Sequence, residues 1–113
     1  MRIHTDHNGV AVNAISALSD GKNVEGHVYQ IIAGPGSTSI NFQLGPVKEN
    51  GVNGLTNEAL LAILAHRIRF LNAGQFSCRE NSLALTKIEE AAHWLEARTK
   101  DRLARNVEGE NKA

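Results

Sequence analysis

The stretch Asn72-Ala73-Gly74-Gln75-Phe76-Ser77-Cys78-Arg79-Glu80 holds a helix stop, a short connection and a helix start in close succession. Asn and Gly tolerate the left-handed backbone with which helices end. Ser77, with Glu80 three residues on, fits a capping box, in which hydroxyl and carboxylate each satisfy a backbone N–H that the helix leaves unpaired. A connection as short as Gly74-Gln75-Phe76 makes the two helices antiparallel neighbours. A helical hairpin is therefore predicted, and both arms can be traced outward from its turn.

Upstream, Leu60, Leu64, Ile68 and Leu71 recur at spacings of four and three, one face of a helix. Thr56, set between Leu55 and Leu60, suits an N-cap with a hydrophobic staple. Downstream, Ala84, Ile88, Ala91 and Leu95 make a stripe with Glu89, Glu96 and Lys100 turned away. The hairpin is expected over residues 54–106, and the polar tail from Val107 to Ala113 is expected to fray. Before residue 54 the chain is rich in Gly, Ser, Val and Ile instead. Tyr29-Gln30-Ile31-Ile32 and Ile40-Asn41-Phe42-Gln43-Leu44 read as strands joined through Gly34-Pro35-Gly36-Ser37, an antiparallel hairpin with a loop longer than two residues. Gly9-Val10-Ala11-Val12 offers a third strand. The fold class is α+β: a small N-terminal antiparallel β-sheet over 1–53, followed by an antiparallel two-helix hairpin, within a single domain.

Composition narrows the function. A domain of 113 residues buries only about two-thirds of its unfolded surface, so self-association is expected to supplement the core. Twelve Lys and Arg balance twelve Asp and Glu, which removes the broad attraction that a basic surface has for polymeric nucleic acid. No apolar run reaches the length of a signal peptide or a membrane span, and the single cysteine, Cys78, has no internal disulfide partner. A reduced, cytoplasmic protein is expected.

At about 100° per residue, Arg98, Arg102 and Arg105 fall within roughly 60° of one another and prolong the line of Ala91 and Leu95. Permanently charged guanidiniums on a packed face need anions among them, whether a ligand's phosphates or a partner's carboxylates. The plainer reading is an exposed helix end whose cations complement the helix dipole. Asn81 lies on the flank of the same stripe, where its amide matches the donor–acceptor edge of adenine or serves as a structural hydrogen-bonding group. Phe70 and Phe76 bracket the turn and either stack on a base or close the end of the core. Other motifs carry less. Gly34-Pro35-Gly36-Ser37-Thr38 lacks the Lys and the following helix of a phosphate cradle, and reads as a turn. His4, Asp6 and His7 have no fourth ligand, so no metal site is expected. His66, His93 and Cys78 assemble no nucleophile with a base, so neither an enzyme nor a cofactor is expected.

Taken together, Gly51-Val52-Asn53-Gly54-Leu55-Thr56-Asn57-Glu58-Ala59-Leu60-Leu61, Cys78-Arg79-Glu80-Asn81, Arg98-Thr99-Lys100-Asp101-Arg102 and Val107-Glu108-Gly109 resemble the helical-hairpin domain shared by phage Thoeris anti-defence proteins and anti-CBASS proteins. The strand-rich N-terminal half resembles the Thoeris branch. The resemblance implies sequestration without cleavage of cyclic ADP-ribose variants made by TIR-domain enzymes and, in some members, of cyclic di- or trinucleotides. It implies a dimer or hexamer with pockets between chains, working in the bacterial host cytoplasm during phage infection. It carries ligand contacts onto Asn81, Arg98 and Arg102, with Phe70 or Phe76 stacking on adenine. Gly54, Thr56 and Arg105 are the expected contacts for cyclic oligonucleotides.

Overall fold

The computed structural model describes residues 1–110, and the chain divides into two compact units, residues 1–55 and the chain from Thr56 onward. The first unit is a four-stranded antiparallel meander in chain order: β1 (Arg2–Thr5), β2 (Ala11–Ser19), β3 (Lys22–Ala33) and β4 (Gly36–Asn41). The α+β class and its order are as the sequence predicts. Each connection is explained by its residues. Asp6 turns the chain between β1 and β2 by accepting the Asn8 and Val10 N–H groups at 2.8 and 3.0 Å. Asp20-Gly21 joins Ser19 to its pair Lys22 with φ of 51° and 74°, the two positive angles that a type I′ hairpin turn requires.

Two strand expectations need correction. Ala33 pairs with Gly36, so the β3–β4 loop has two residues, not more. Gly34 at φ 59° followed by Pro35, whose ring holds φ negative, gives the type II′ pattern that matches strand twist. β4 also ends at Asn41, earlier than expected: Phe42 still donates its N–H to the His27 carbonyl at 2.7 Å but forms an isolated parallel bridge with Leu55. Between these two residues lies a loop with the short helix α1 (Val47–Asn50). Gln43 donates to the Gly45 and Gly51 carbonyls, and Asn53 both donates to and accepts from the Leu44 backbone.

The second unit is the predicted hairpin, α2 (Asn57–Asn72) packed on α3 (Arg79–Ala104). The Thr56 hydroxyl caps α2 by accepting the Ala59 N–H at 3.1 Å. Helix α3 starts one residue later than the capping box implies: its N-cap is Cys78, whose Sγ accepts the Asn81 N–H at 3.4 Å. Asn72 moves the start, because its Oδ1 accepts the Cys78 N–H while its Nδ2 donates to the Ser82 hydroxyl. The packed seam shifts in step. It runs through Leu61, Ala65, Ile68 and Asn72 on α2, leaving Leu64 exposed. On α3 it runs through Asn81, Leu85, Ile88, Ala92, Leu95, Thr99 and Arg102, leaving Ala84 and Ala91 exposed. Alternating steps of four and three keep one line of a helix against a neighbouring helix.

Little of this chain is dry. Among the described residues only Ala11 and Ala65 are buried apolar side chains, whereas Ile63, Phe70, Phe76, Trp94 and Leu103 are each more than half exposed.

Candidate ligand-binding site on the helical hairpin

The residues singled out on α3 meet different fates. Arg98 is exposed and makes no ion pair among the described residues, Arg105 is exposed and pairs with Asp101 at 3.0 Å, and Arg102 is buried. The three guanidiniums therefore do not share one packed face, contrary to the expectation from their angular spacing. The seam passes through Leu95, Thr99 and Arg102, which turns positions 98 and 105 to its flanks.

Arg102 keeps 4% of its surface exposed, and the chain just beyond α3 surrounds it. Its Nε donates to the Glu108 carboxylate at 3.0 Å, and its Nη2 donates to the carbonyls of Val107 at 3.0 Å and Glu110 at 2.8 Å. A positive φ of 59° at Asn106 and a Val107 N–H bond back to the Arg102 carbonyl close α3 in a Schellman turn. Residues 107–110 are thus held and not frayed, while the rest of the expected tail lies outside the described residues. Sequence reasoning placed Glu108 in a family motif but missed its pairing with Arg102. Its signal was an acid at hydrogen-bonding reach beyond the helix end, followed by a glycine that permits the chain to fold back.

At the other end of the hairpin, Asn81 is half-buried and its Nδ2 donates to the Phe76 carbonyl at 3.0 Å. Its Oδ1 is left without a partner among the described residues. Phe70 and Phe76, 74% and 62% exposed, do not close the core; with Leu71, Ala73, Gly74 and Gln75 they line an open apolar hollow of about 360 Å³. Asn81 and the aromatic hollow meet at the turn, whereas Arg98 and Arg102 lie more than four helical turns further along α3.

The remaining candidates have structural duties. A Cβ on Gly54 would sit 2.5 Å from the Phe42 carbonyl carbon and 2.7 Å from the Asn41 oxygen, so this backbone passes too close to the strand for any side chain. The Thr56 hydroxyl is engaged as the α2 cap. Asp6 serves the β1–β2 turn, and the Asn8 and Val10 N–H groups that it accepts hold its carboxyl below the ordinary range. Among the described residues no group of three or more His, Cys, Asp or Glu could hold a metal ion, and no helix is long and apolar enough to cross a membrane.

Residues 36–100 match the Acb2/Tad1 hairpin domain. Over 96% of its length the chain is 42% identical to Thoeris anti-defense 1 of Bacillus phage SBSphiJ7, covering 81% of that protein. The chain belongs to the Tad1 family. In this Tad1-family chain the matched region takes in β4, the braced loop around α1, all of α2 and most of α3. The strand meander, β4 apart, and the Arg102 wrap lie outside the hairpin match, but the alignment to the phage relative covers nearly all of the chain.

Proposed function

We propose that this protein counters Thoeris defence by binding a cyclic ADP-ribose-type signal and holding it away from its effector, without cleaving it. The observation that carries the reading is the match to a phage Thoeris anti-defense protein along nearly the whole chain. The hairpin offers the contacts such a ligand needs. An exposed aromatic pair at an apolar hollow suits an adenine face, an amide oxygen beside it suits the base edge, and Arg98 and Arg102 suit the two phosphates. The spacing of these groups along α3 fits the further proposal that a site is completed by another copy of the chain, as a homodimer or hexamer. The scarcity of buried apolar side chains among the described residues of one copy supports association as well. Cyclic di- or trinucleotides are proposed as additional ligands, with Arg105, Gly54 and Thr56 as the residues to substitute. The proposed place of action is the cytoplasm of the infected bacterium.

The deciding experiment mixes the cyclic ADP-ribose product of a TIR-domain enzyme with a molar excess of protein. The free signal should disappear, the effector should stay silent, and the ligand should return chemically unchanged after heat destroys the fold. Linear or hydrolysed nucleotide that accumulates with time at substoichiometric protein would instead identify an enzyme.

A further inference from the structure

Arginines at helix ends ordinarily extend into water, with only the stem packed on the protein. Arg102 does the opposite. It is the buried charged side chain among the described residues, and acceptors from Val107, Glu108 and Glu110 meet its guanidinium. Positive φ at Asn106 and Gly109 folds this segment back, and the Glu110 N–H bonded to Val107 at 3.1 Å holds the second bend. Among the described residues, Glu108 brings a charged acceptor to the wrap. A guanidinium presents the same planar fork to carboxylate and to phosphate, so Glu108 occupies, with its own charge, the kind of position that a ligand's phosphate takes.

We infer that Val107–Glu110 is a latch: Glu108 is an internal anion on Arg102 that a ligand phosphate displaces. The inference rests on the reading of Arg102 as a ligand contact. It accounts for two facts together. A side chain with 4% exposure cannot meet a ligand unless something moves, and the short segment Val107–Glu110 supplies three of the acceptors that hold it, the Glu108 carboxylate among them. In the unliganded chain the latch keeps a permanent charge compensated inside the protein. Arg98, one turn earlier and exposed, makes the first phosphate contact, and Arg102 joins once Glu108 has left. The cost is affinity, because the apparent dissociation constant is raised by the fraction of molecules in which the latch is closed.

Titration calorimetry on the full chain, with the cyclic ADP-ribose product of a TIR-domain enzyme as probe, tests this with Glu108→Gln and Glu108→Ala. Glu108→Gln keeps the side chain's size and an acceptor while removing the charge. Both variants should bind about three- to tenfold more tightly than the natural protein, since an anionic competitor is gone. Amide exchange at Glu110 in the natural protein should accelerate on adding the probe. Equal or weaker binding by a folded Glu108→Gln variant, or slower exchange at Glu110 with probe bound, overturns the latch and leaves the sequestration reading standing. If Glu108→Ala fails to fold, Glu108→Gln and the exchange measurement still decide. Absence of any binding by the natural protein overturns the sequestration reading, and the latch with it.

Discussion

Arg98 and Arg102 stand one helical turn apart, and their surroundings predict different outcomes for the same substitution. Arg98→Ala removes an exposed side chain, so stability should stay within about 0.5 kcal/mol while ligand affinity falls by about 2–4 kcal/mol. Arg98→Lys should also bind poorly, because a point charge cannot make a two-pronged contact. Arg102→Ala should lose affinity and also about 1–3 kcal/mol of stability, since it strands the acceptors of Glu108, Val107 and Glu110. Thermal denaturation beside calorimetry separates the two; unchanged affinity in both Ala variants rules out the site assignment. Gly54→Ala makes the complementary case. Its Cβ would meet strand backbone that cannot rotate away, so a loss of about 1–3 kcal/mol in denaturant unfolding is expected whether or not ligand is present.

At the scale of elements, the start of α3 shows what the sequence could and could not reveal. Ser77→Ala should be neutral within about 0.5 kcal/mol, because Cys78 and not Ser77 occupies the cap. Asn72→Ala should cost about 1–2 kcal/mol, since it orphans the Cys78 N–H and frees Ser82. Melting of the two variants checks both; a larger loss for Ser77→Ala would restore the capping box. The hairpin itself was legible, because the Thr56 cap and helical periodicity act locally, although α2 ends at Asn72 with Ala73 still right-handed and no left-handed residue at the stop. Which residue capped α3 was not, since the choice is made by a side chain on the other helix. The same division runs through the sheet. Strand segments around Tyr29 and Ile40 announced themselves by alternation, and Asp20-Gly21 is a local turn signal that could have extended the meander. The parallel bridge of Phe42 to Leu55 depends on a loop folding back, which periodicity does not encode. At the candidate site, Asn81 and the two phenylalanines were readable from their places beside the turn. The burial of Arg102 was only half readable, because its partners come from a segment whose polarity looked like fraying.

For the molecule as a whole, a single copy leaves Ile63, Phe70, Trp94 and Leu103 largely in water and keeps few apolar side chains dry. If association supplies the missing burial, the melting temperature should rise with protein concentration, and light scattering at micromolar concentration should give a multiple of the 12.2 kDa chain mass. A monomer mass with a concentration-independent melt would count against assembly. The order of the elements has a separate consequence. Every strand pairs with the strand next to it in the chain, and the two long helices are likewise consecutive, so the major pairings form between neighbours in sequence. Low contact order of this kind gives fast folding, on the order of milliseconds for each unit, which stopped-flow refolding can measure. A protein proposed to act mole for mole succeeds only when enough copies exist before the signal does. With pairing this local, the ribosome sets the supply, and each chain can join the race almost as soon as it is released.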